Sequence, residues 1–329
     1  LILKDQHPPF TFLASSQRGK IPSRIMKNIL FSILLLFVAT ESFSQQDALY
    51  SQYMFNQFTI NPAYAGSRGT FSSVLLYRNQ WTGLDGAPST LNFSMHTPFS
   101  SKKMALGMNF IVDHIGPTKN SSFMGTYAYH LKTSKGKLSL ALRGGIYSST
   151  VNNNLLNFFD GNDVHNSGGV SQSIAPNFDF GVYYYSSKFY SGLSVNHLYN
   201  SDLIYQNTTQ THFALNRHIF FNTGGVFVLN SNLVLKPSVM IRYVNGSPIS
   251  YDLNSAVLLN KKIWIGLTYR STQNLVFISE FNLSDYLRAG YSYDFDLSKL
   301  RSFHSGSHEV FIGCDLNFRK VQSKSPRYL

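Results

Sequence analysis

The feature that most constrains this chain is the alternation of apolar and polar side chains within runs of about ten residues. Successive side chains of a β-strand point to opposite faces, so each such run predicts a strand with one apolar and one polar face. In 137–150, Leu138, Leu140, Leu142 and Ile146 alternate with Ser139, Arg143 and Gly145, and in 232–244, Leu233, Leu235, Val239 and Ile241 alternate with Lys236, Ser238 and Arg242. Fourteen runs have this character: 70–78, 88–98, 104–114, 121–132, 137–150, 175–187, 189–198, 217–230, 232–244, 249–259, 262–271, 274–284, 286–296 and 307–318.

Composition decides what kind of wall these strands build. Only 13% of the residues are charged and 15% are aromatic, whereas a soluble domain carries about 25% charge. The mean hydropathy of −0.10 is too low for a bundle of membrane helices. Strands with one lipid-facing side explain both values, so we expect an all-β protein, a transmembrane antiparallel β-barrel of about 14 strands. A large secreted β-sandwich is the alternative.

The lengths of the predicted connections alternate as well. Those after even-numbered runs have one to five residues, whereas two of those after odd-numbered runs, 151–174 and 199–216, are long. Bacterial barrels have short periplasmic turns and longer extracellular loops. An even strand count then predicts that both termini are periplasmic, with the N-terminal segment at the periplasmic mouth or packed in the lumen.

The chain divides into five predicted regions. Met26-Lys27-Asn28, an apolar stretch and a small-residue exit at Ser44 have the form of a secretory signal peptide, too short to span a bilayer as a helix. The regions are 1–25, an upstream artefact without a structural role; 26–44, the signal peptide; 45–69, the N-terminal segment; 70–318, the barrel; and 319–329, a basic tail.

Several short motifs resemble those of one family. Tyr53-Met54-Phe55-Asn56, Asn61-Pro62-Ala63-Tyr64-Ala65-Gly66, Arg78-Asn79-Gln80-Trp81, the stretch around Asn196-His197, Lys236-Pro237-Ser238 and His308-Glu309 occur in the expected order over nearly all of the mature chain. The chain therefore resembles the PorP/SprF family, outer-membrane proteins of the type IX secretion system of Bacteroidota. Its candidate signature or partner-docking residues are Tyr53, Phe55, Asn56, Asn61, Pro62, Tyr64, Gly66, Arg78, Trp81, Asn196, His197, His308 and Glu309.

The resemblance implies a function and partners. It implies a protein of the Gram-negative outer membrane that supports export or surface anchoring of adhesins with type-B C-terminal domains, with a link to gliding motility. The implied partners are such an adhesin and components of the type IX translocon or its periplasmic ring. Outer-membrane lipid is the partner of the apolar strand faces. We expect docking through the loops 151–174 and 199–216 and through the N-terminal segment.

Charged side chains fall on the polar strand faces and predict what fills the lumen. Mixed signs indicate either a wet channel or a charge-paired interior, and we favour the second because the N-terminal segment offers a plug. An outer-membrane channel for small or hydrophobic solutes remains the alternative function. The basic residues are Arg143, Lys236, Arg242, Arg270 and Arg288, and the acidic ones are Asp113, Asp179, Asp252, Glu280, Asp294 and Asp315.

Other chemistry finds little support in the sequence. The single Cys314 excludes an intrachain disulfide, and no Gly-x-Ser-x-Gly nucleophile elbow is present. We therefore predict no enzyme, no cofactor and no metal. Asp160, Asn162 and Asp163 lack the EF-hand spacing, so we interpret them as solvated polar side chains of a loop rather than a calcium site.

The net charge of +12 forms no basic stripe, so we expect no nucleic-acid partner. Seven tyrosines predict interfacial girdles, with a carbohydrate platform as the alternative: Tyr127, Tyr129, Tyr183, Tyr184, Tyr185, Tyr291 and Tyr293.

Overall fold

The computed structural model describes residues 47–156, 169–205 and 212–317. The predicted regions 1–25, 26–44 and 319–329, and the end of the predicted barrel at Phe318, lie outside the described residues, as do Asp160, Asn162 and Asp163. The strands are β1 (Phe71–Asn79), β2 (Ser89–Pro98), β3 (Met104–Ile115), β4 (Thr118–Lys132), β5 (Lys137–Asn152), β6 (Val170–Tyr185), β7 (Phe189–Asn196), β8 (Asp202–Ile204), β9 (His212–Ala214), β10 (His218–Gly225), β11 (Phe227–Asn230), β12 (Leu233–Val244), β13 (Ser250–Leu259), β14 (Ile263–Arg270), β15 (Asn274–Asn282), β16 (Leu287–Asp296) and β17 (Ser307–Leu316).

The wall is a closed antiparallel sheet. Each wall strand pairs with its chain neighbours, β1 pairs with β17, and β10 pairs with both β7 and β12. β10 and β11 are two pieces of one wall strand, interrupted at Val226. The ring therefore contains fourteen strands, which confirms the predicted fold class. Among the described residues, no helix is long and apolar enough to cross a membrane.

The alternation read from the sequence corresponds to the two faces of this wall. In β5, Leu142 is 63% exposed on the outer face, whereas Arg143 beside it is buried against the lumen. In β16, Phe295 points outward and Asp294 inward. A wall between lipid and a filled interior requires this division, because an apolar side chain gains nothing from a polar lumen and a charge is costly in lipid.

The two rims of the barrel differ as predicted. The short-turn rim is formed by 99–103, 133–136, 186–188, 231–232, 260–262 and 283–286, and the long-loop rim by 80–88, 116–117, 153–169, 197–217, 245–249, 271–273 and 297–306. The two-residue connection 116–117 is the shortest on the long-loop rim, because β4 begins earlier than its apolar pattern indicates. The predicted loop 199–216 contains the small hairpin of β8 and β9.

The tyrosine girdle is correct for some residues and wrong for others. Tyr127, Tyr129 and Tyr291 are exposed on the outer face. Tyr183 instead faces the lumen, where it is 1% exposed and packs against the rings of Tyr64 and Tyr190. Three successive tyrosines in a strand cannot all face lipid, because neighbouring side chains alternate between faces.

Candidate functional site: the filled lumen

The N-terminal segment fills the barrel. We call residues 47–70 the lumen segment; its residues 50–66 are all buried. It forms three single turns of 3-10 helix, Tyr53–Phe55, Gln57–Thr59 and Pro62–Tyr64. Asn61 begins the third turn, with its side-chain oxygen accepting from the Ala63 N–H at 2.9 Å, and Pro62 takes the first helical position, where a missing N–H costs nothing.

Apolar side chains of the lumen segment pack in two clusters. Toward one side of the barrel, Phe55 lies against the rings of Trp264 and Phe311, with centroids 6.3 and 6.2 Å away. On the other side, Phe58 and Tyr64 pack among small wall residues and the inward tyrosines. A Cβ added at Gly181 would collide with the Asn61 side chain and the Ala63 backbone. The wall is therefore shaped around this segment.

Wall side chains satisfy the backbone of the lumen segment. A buried backbone that forms neither a long helix nor a sheet must find other partners for its N–H and C=O groups. Arg143 Nη1 donates to the carbonyls of Phe58 and Thr59 at 3.2 and 3.1 Å, and Ser194 Oγ donates to the Ile60 carbonyl at 2.8 Å. These long-range contacts hold residues 58–60 of the segment against β5 and β7.

The most densely charged contact surrounds Ser51. Glu309 accepts from the backbone N–H groups of Ser51 and Gln52 at 2.9 and 2.8 Å. Arg78 donates to Ser51 Oγ and forms ion pairs with Asp294 and Glu309 at 2.8 and 3.3 Å. Two signature residues, Arg78 and Glu309, thus meet at the lumen segment although they are far apart in the sequence.

Over the described residues, the predicted charge-paired interior is confirmed for all of the predicted charged residues except Lys236 and Asp113, which form no salt bridge. Each lumen-facing arginine has a carboxylate partner: Arg78 with Asp294 and Glu309, Arg143 with Asp179, Arg242 with Asp252, Arg270 with Asp252 and Asp294, and Arg288 with Glu280 and Asp315. Lys236 differs, since its ammonium lies 5.6 Å from the centre of the Tyr190 ring and 5.9 Å from that of Trp264. The lumen is a packed interior, which argues against the wet-channel alternative.

The lumen segment runs through the barrel from one rim to the other. At its start, Tyr50 O accepts from Arg270, the last residue of β14 at the long-loop rim. At its end, Gly66 N donates to His96 near the short-turn end of β2, and Arg68 pairs with Asp315 near the end of β17, the last wall strand. Asp47 therefore lies at the long-loop side, opposite to the end of β17.

His197 holds the long-loop end of the lumen segment in place. It directly follows β7 with φ of +55°, and its two ring nitrogens are each 2.9 Å from an oxygen, Nδ1 from Asn177 Oδ1 and Nε2 from Asp47 Oδ1. Burial lowers the pKa of His197, but the carboxylates of Asp47 and Asp179 outweigh it and raise that pKa. Burial likewise opposes ionisation of Asp47, yet the charges of His197 and His218 hold its pKa below the ordinary value. An imidazolium between two acceptors satisfies this geometry.

The structure divides the predicted signature residues into groups. Tyr53, Phe55, Asn56, Asn61, Pro62 and Tyr64 lie in the lumen with Gly66, which has φ of +74°. Arg78 and Glu309 meet at Ser51, and Asn196 and His197 lie beside Asp47. Trp81 stands apart in the rim connection 80–88, where its backbone N–H donates to Ser307 Oγ at 3.1 Å. His308 lies on the outer face, its Nδ1 2.9 Å from Tyr291 Oη.

Sequence reasoning missed several members of the site. Ser51 and Gln52 lie in the predicted N-terminal segment 45–69, yet no pattern in the sequence pairs them with Glu309. Asp47 and His218 have no sequence signal, because their proximity arises only from the path of the lumen segment. Among the described residues, no group of three or more His, Cys, Asp or Glu side chains could hold a metal ion.

Comparisons with known proteins identify one matching family and several similar solved structures. A family model described as type IX secretion system membrane protein PorP/SprF matches residues 42–314. Similar solved structures include a Pseudomonas aeruginosa FadL homologue, which is 10% identical, covers 79% of this chain and 93% of that chain, and has a TM-score of 0.47. The Acinetobacter baumannii outer membrane protein Omp33 is 7% identical over 75% of this chain and 98% of that chain, with a TM-score of 0.43. The translocator domain of the autotransporter NalP from Neisseria meningitidis is 10% identical over 76% of this chain and 88% of that chain, with a TM-score of 0.42. Likeness at this level carries no argument about function. No curated protein is significantly similar in sequence.

Proposed function

The chain belongs to the PorP/SprF family of type IX secretion system membrane proteins, and from this premise we propose that it supports the export or surface anchoring of adhesins with type-B C-terminal domains. The lumen, filled by the protein's own residues 50–66, is the observation that carries this proposal. A barrel closed in this way offers its rims and loops to other proteins rather than a path for solute. Outer-membrane location follows from the family and the barrel fold.

The orientation of the barrel follows from its unequal rims. Short turns face the periplasm in bacterial barrels, so we propose that the short-turn rim, with the start of β1 and the end of β17, is periplasmic. Asp47 then lies at the extracellular side, because the lumen segment crosses the barrel. The expectation that both termini face the periplasm is thus kept for the C-terminal end of the wall and does not extend to the start of the lumen segment.

Docking then divides between the two rims. The adhesin would contact the long-loop rim, where Tyr199 is 67% exposed in the connection 197–217 that also contains β8 and β9. Components of the translocon or of the periplasmic ring would contact the short-turn rim. The signature residues inside the lumen would hold the plug in place, and Trp81 in the rim connection 80–88 remains a docking candidate. The link to gliding motility rests on the family resemblance alone.

Photo-crosslinking in native outer membranes tests this assignment. A photoreactive amino acid at Tyr199 should capture an adhesin with a type-B C-terminal domain, whereas the same probe at Leu283, 61% exposed on the short-turn rim, should capture periplasmic partners. Failure to capture such an adhesin from any described long-loop position would refute the adhesin role. A large steady conductance of the purified protein in planar bilayers would instead favour the solute channel.

A further inference from the structure

We propose that the long-loop side of the lumen contains a binding site for a guanidinium or primary ammonium group. A small cavity of about 70 Å³ lies between the lumen segment and the wall strands β3 to β7 and β10. Its lining includes Asp47, Asp113, Tyr147, Asn196 and His197. The cavity is too small for a drug-sized molecule, but it has the few convergent polar groups that orient a ligand in a binding site.

Asp113 is the group that requires a partner. It is 5% exposed, and its Oδ1 accepts from Thr90 Oγ1 at 2.6 Å. Within the described ranges it forms no salt bridge, although the other lumen-facing carboxylates of the wall strands all lie beside a basic side chain. A buried carboxylate without a cation is costly, and buried charges are normally paired. Asp113 borders the cavity.

The charges around the cavity leave one negative charge over. Three carboxylates border it, and its two cations are already engaged, Arg143 with Asp179 and His197 with Asp47. Asn196 adds an acceptor, since it is 7% exposed and its Oδ1 has no hydrogen-bond partner among the described residues. Unused acceptors and a net negative charge together select a ligand that is positively charged and donates N–H groups.

The aromatic lining favours an organic cation over a metal ion. Tyr50, Tyr147 and Phe220 border the cavity, and aromatic rings attract guanidinium and ammonium groups. A hard metal ion would need six or more oxygen ligands for calcium or strict octahedral geometry for magnesium. The group could belong to a small solute or to a basic side chain of a polypeptide, and the two sources have the same chemistry at this site.

Binding of a matched pair of probes to the purified full chain in detergent tests the site. Butylguanidinium should bind saturably in isothermal titration calorimetry, and the neutral isostere butylurea should not. Asp113→Asn should weaken butylguanidinium binding at least about tenfold, the loss expected for one hydrogen bond to a charged group. Asp202→Asn, an exposed carboxylate in the long-loop connection 197–217, is the control and should leave binding unchanged.

Two further comparisons make the outcome decisive. Tighter binding of an acetylated Gly-Arg-Gly amide than of butylguanidinium would identify a polypeptide side chain as the source, and the opposite order would identify a small solute. Equal binding of butylurea, or no saturable binding of either cation to the wild-type protein, would overturn the site. Because the probe pair is compared on the wild-type protein, a variant that fails to fold does not leave the question open.

Discussion

The carboxylate of Glu309 accepts the backbone N–H of Ser51 at 2.9 Å, across 258 residues of sequence. Both residues are 0% exposed, so this contact joins the lumen segment to the last wall strand at a position that is shielded from water. The same carboxylate binds the Gln52 N–H and Arg78. The lumen segment is thereby fastened to the strand pair that closes the barrel, β17 and β1.

Replacing the Glu309 carboxylate should weaken the attachment of the lumen segment and destabilise the barrel. In Glu309→Gln, the amide nitrogen would face N–H donors and Arg78 would lose one counter-charge in a buried site. We expect a loss of about 3 kcal/mol in the free energy of unfolding, as for one partner removed from a buried pair. This loss should lower the temperature at which the folded band disappears on semi-native gels. Asp85→Asn, at an exposed rim position, should behave as wild type, and equal stability of Glu309→Gln would contradict the role of the contact.

A glycine tests whether the wall is shaped for the segment. In Gly181→Ala the new methyl group would collide with Asn61 and Ala63, so the third turn of the lumen segment must shift. Overpacking of this kind costs about 1–3 kcal/mol, and we expect frequent opening events in planar bilayers where the wild-type protein is closed. Gly125→Ala is the matched control, since the nearest atom to its added Cβ is 3.9 Å away. If neither variant shows channel openings, the result would argue that the lumen segment does not close the barrel.

The sequence predicted the wall far better than its contents. Strand runs such as 104–114 and 189–198 differ from β3 and β7 by one or two residues, because period-two patterning is a local property that lipid on one side imposes. The polar faces also predicted a charge-paired lumen, with Arg143 and Asp294 on the correct side. The pairing of Glu309 with Ser51, and the approach of Asp47 to His197, arise from the path of the lumen segment through the closed ring. No local pattern encodes that path.

The stability that the His197–Asp47 contact contributes at the long-loop end of the lumen segment should depend on pH. The raised pKa of His197 means that its contribution is complete below the unfolded value of about 6.5 and is lost as pH rises through the folded pKa. The lowered pKa of Asp47 means that its contribution is present above about 3.8 and is lost as pH falls through its folded pKa. The pair is therefore strongest between about pH 4 and 6.5.

The measurable consequence is a small loss of stability on the alkaline side of this window. Raising the pH above about 7 should lower the free energy of unfolding by about 1 kcal/mol, a modest value because Asp47 is partly exposed. Chemical unfolding in detergent at several pH values would show it. Asp47→Asn should remove most of this pH dependence, and an identical slope in that variant would exclude the pair as its origin.

The crossing of the lumen by residues 47–70 gives the sharpest topological prediction. In a Cys314→Ser background, Asp47→Cys should react with a membrane-impermeant maleimide under the same conditions as Tyr199→Cys on the long-loop rim. It should not follow Ser101→Cys, an exposed position on the short-turn rim. In intact cells the two rim markers report the orientation of the barrel by themselves, so the test of the crossing does not depend on which rim is extracellular.

Because the Asp47 side chain is 26% exposed beside His197, we expect Asp47→Cys to react more slowly than Tyr199→Cys but from the same side of the membrane. Labelling of Asp47→Cys together with Ser101→Cys would mean that the segment enters and leaves by the short-turn rim, and the contacts of Tyr50 with Arg270 and of Ser51 with Glu309 could not then exist in the membrane.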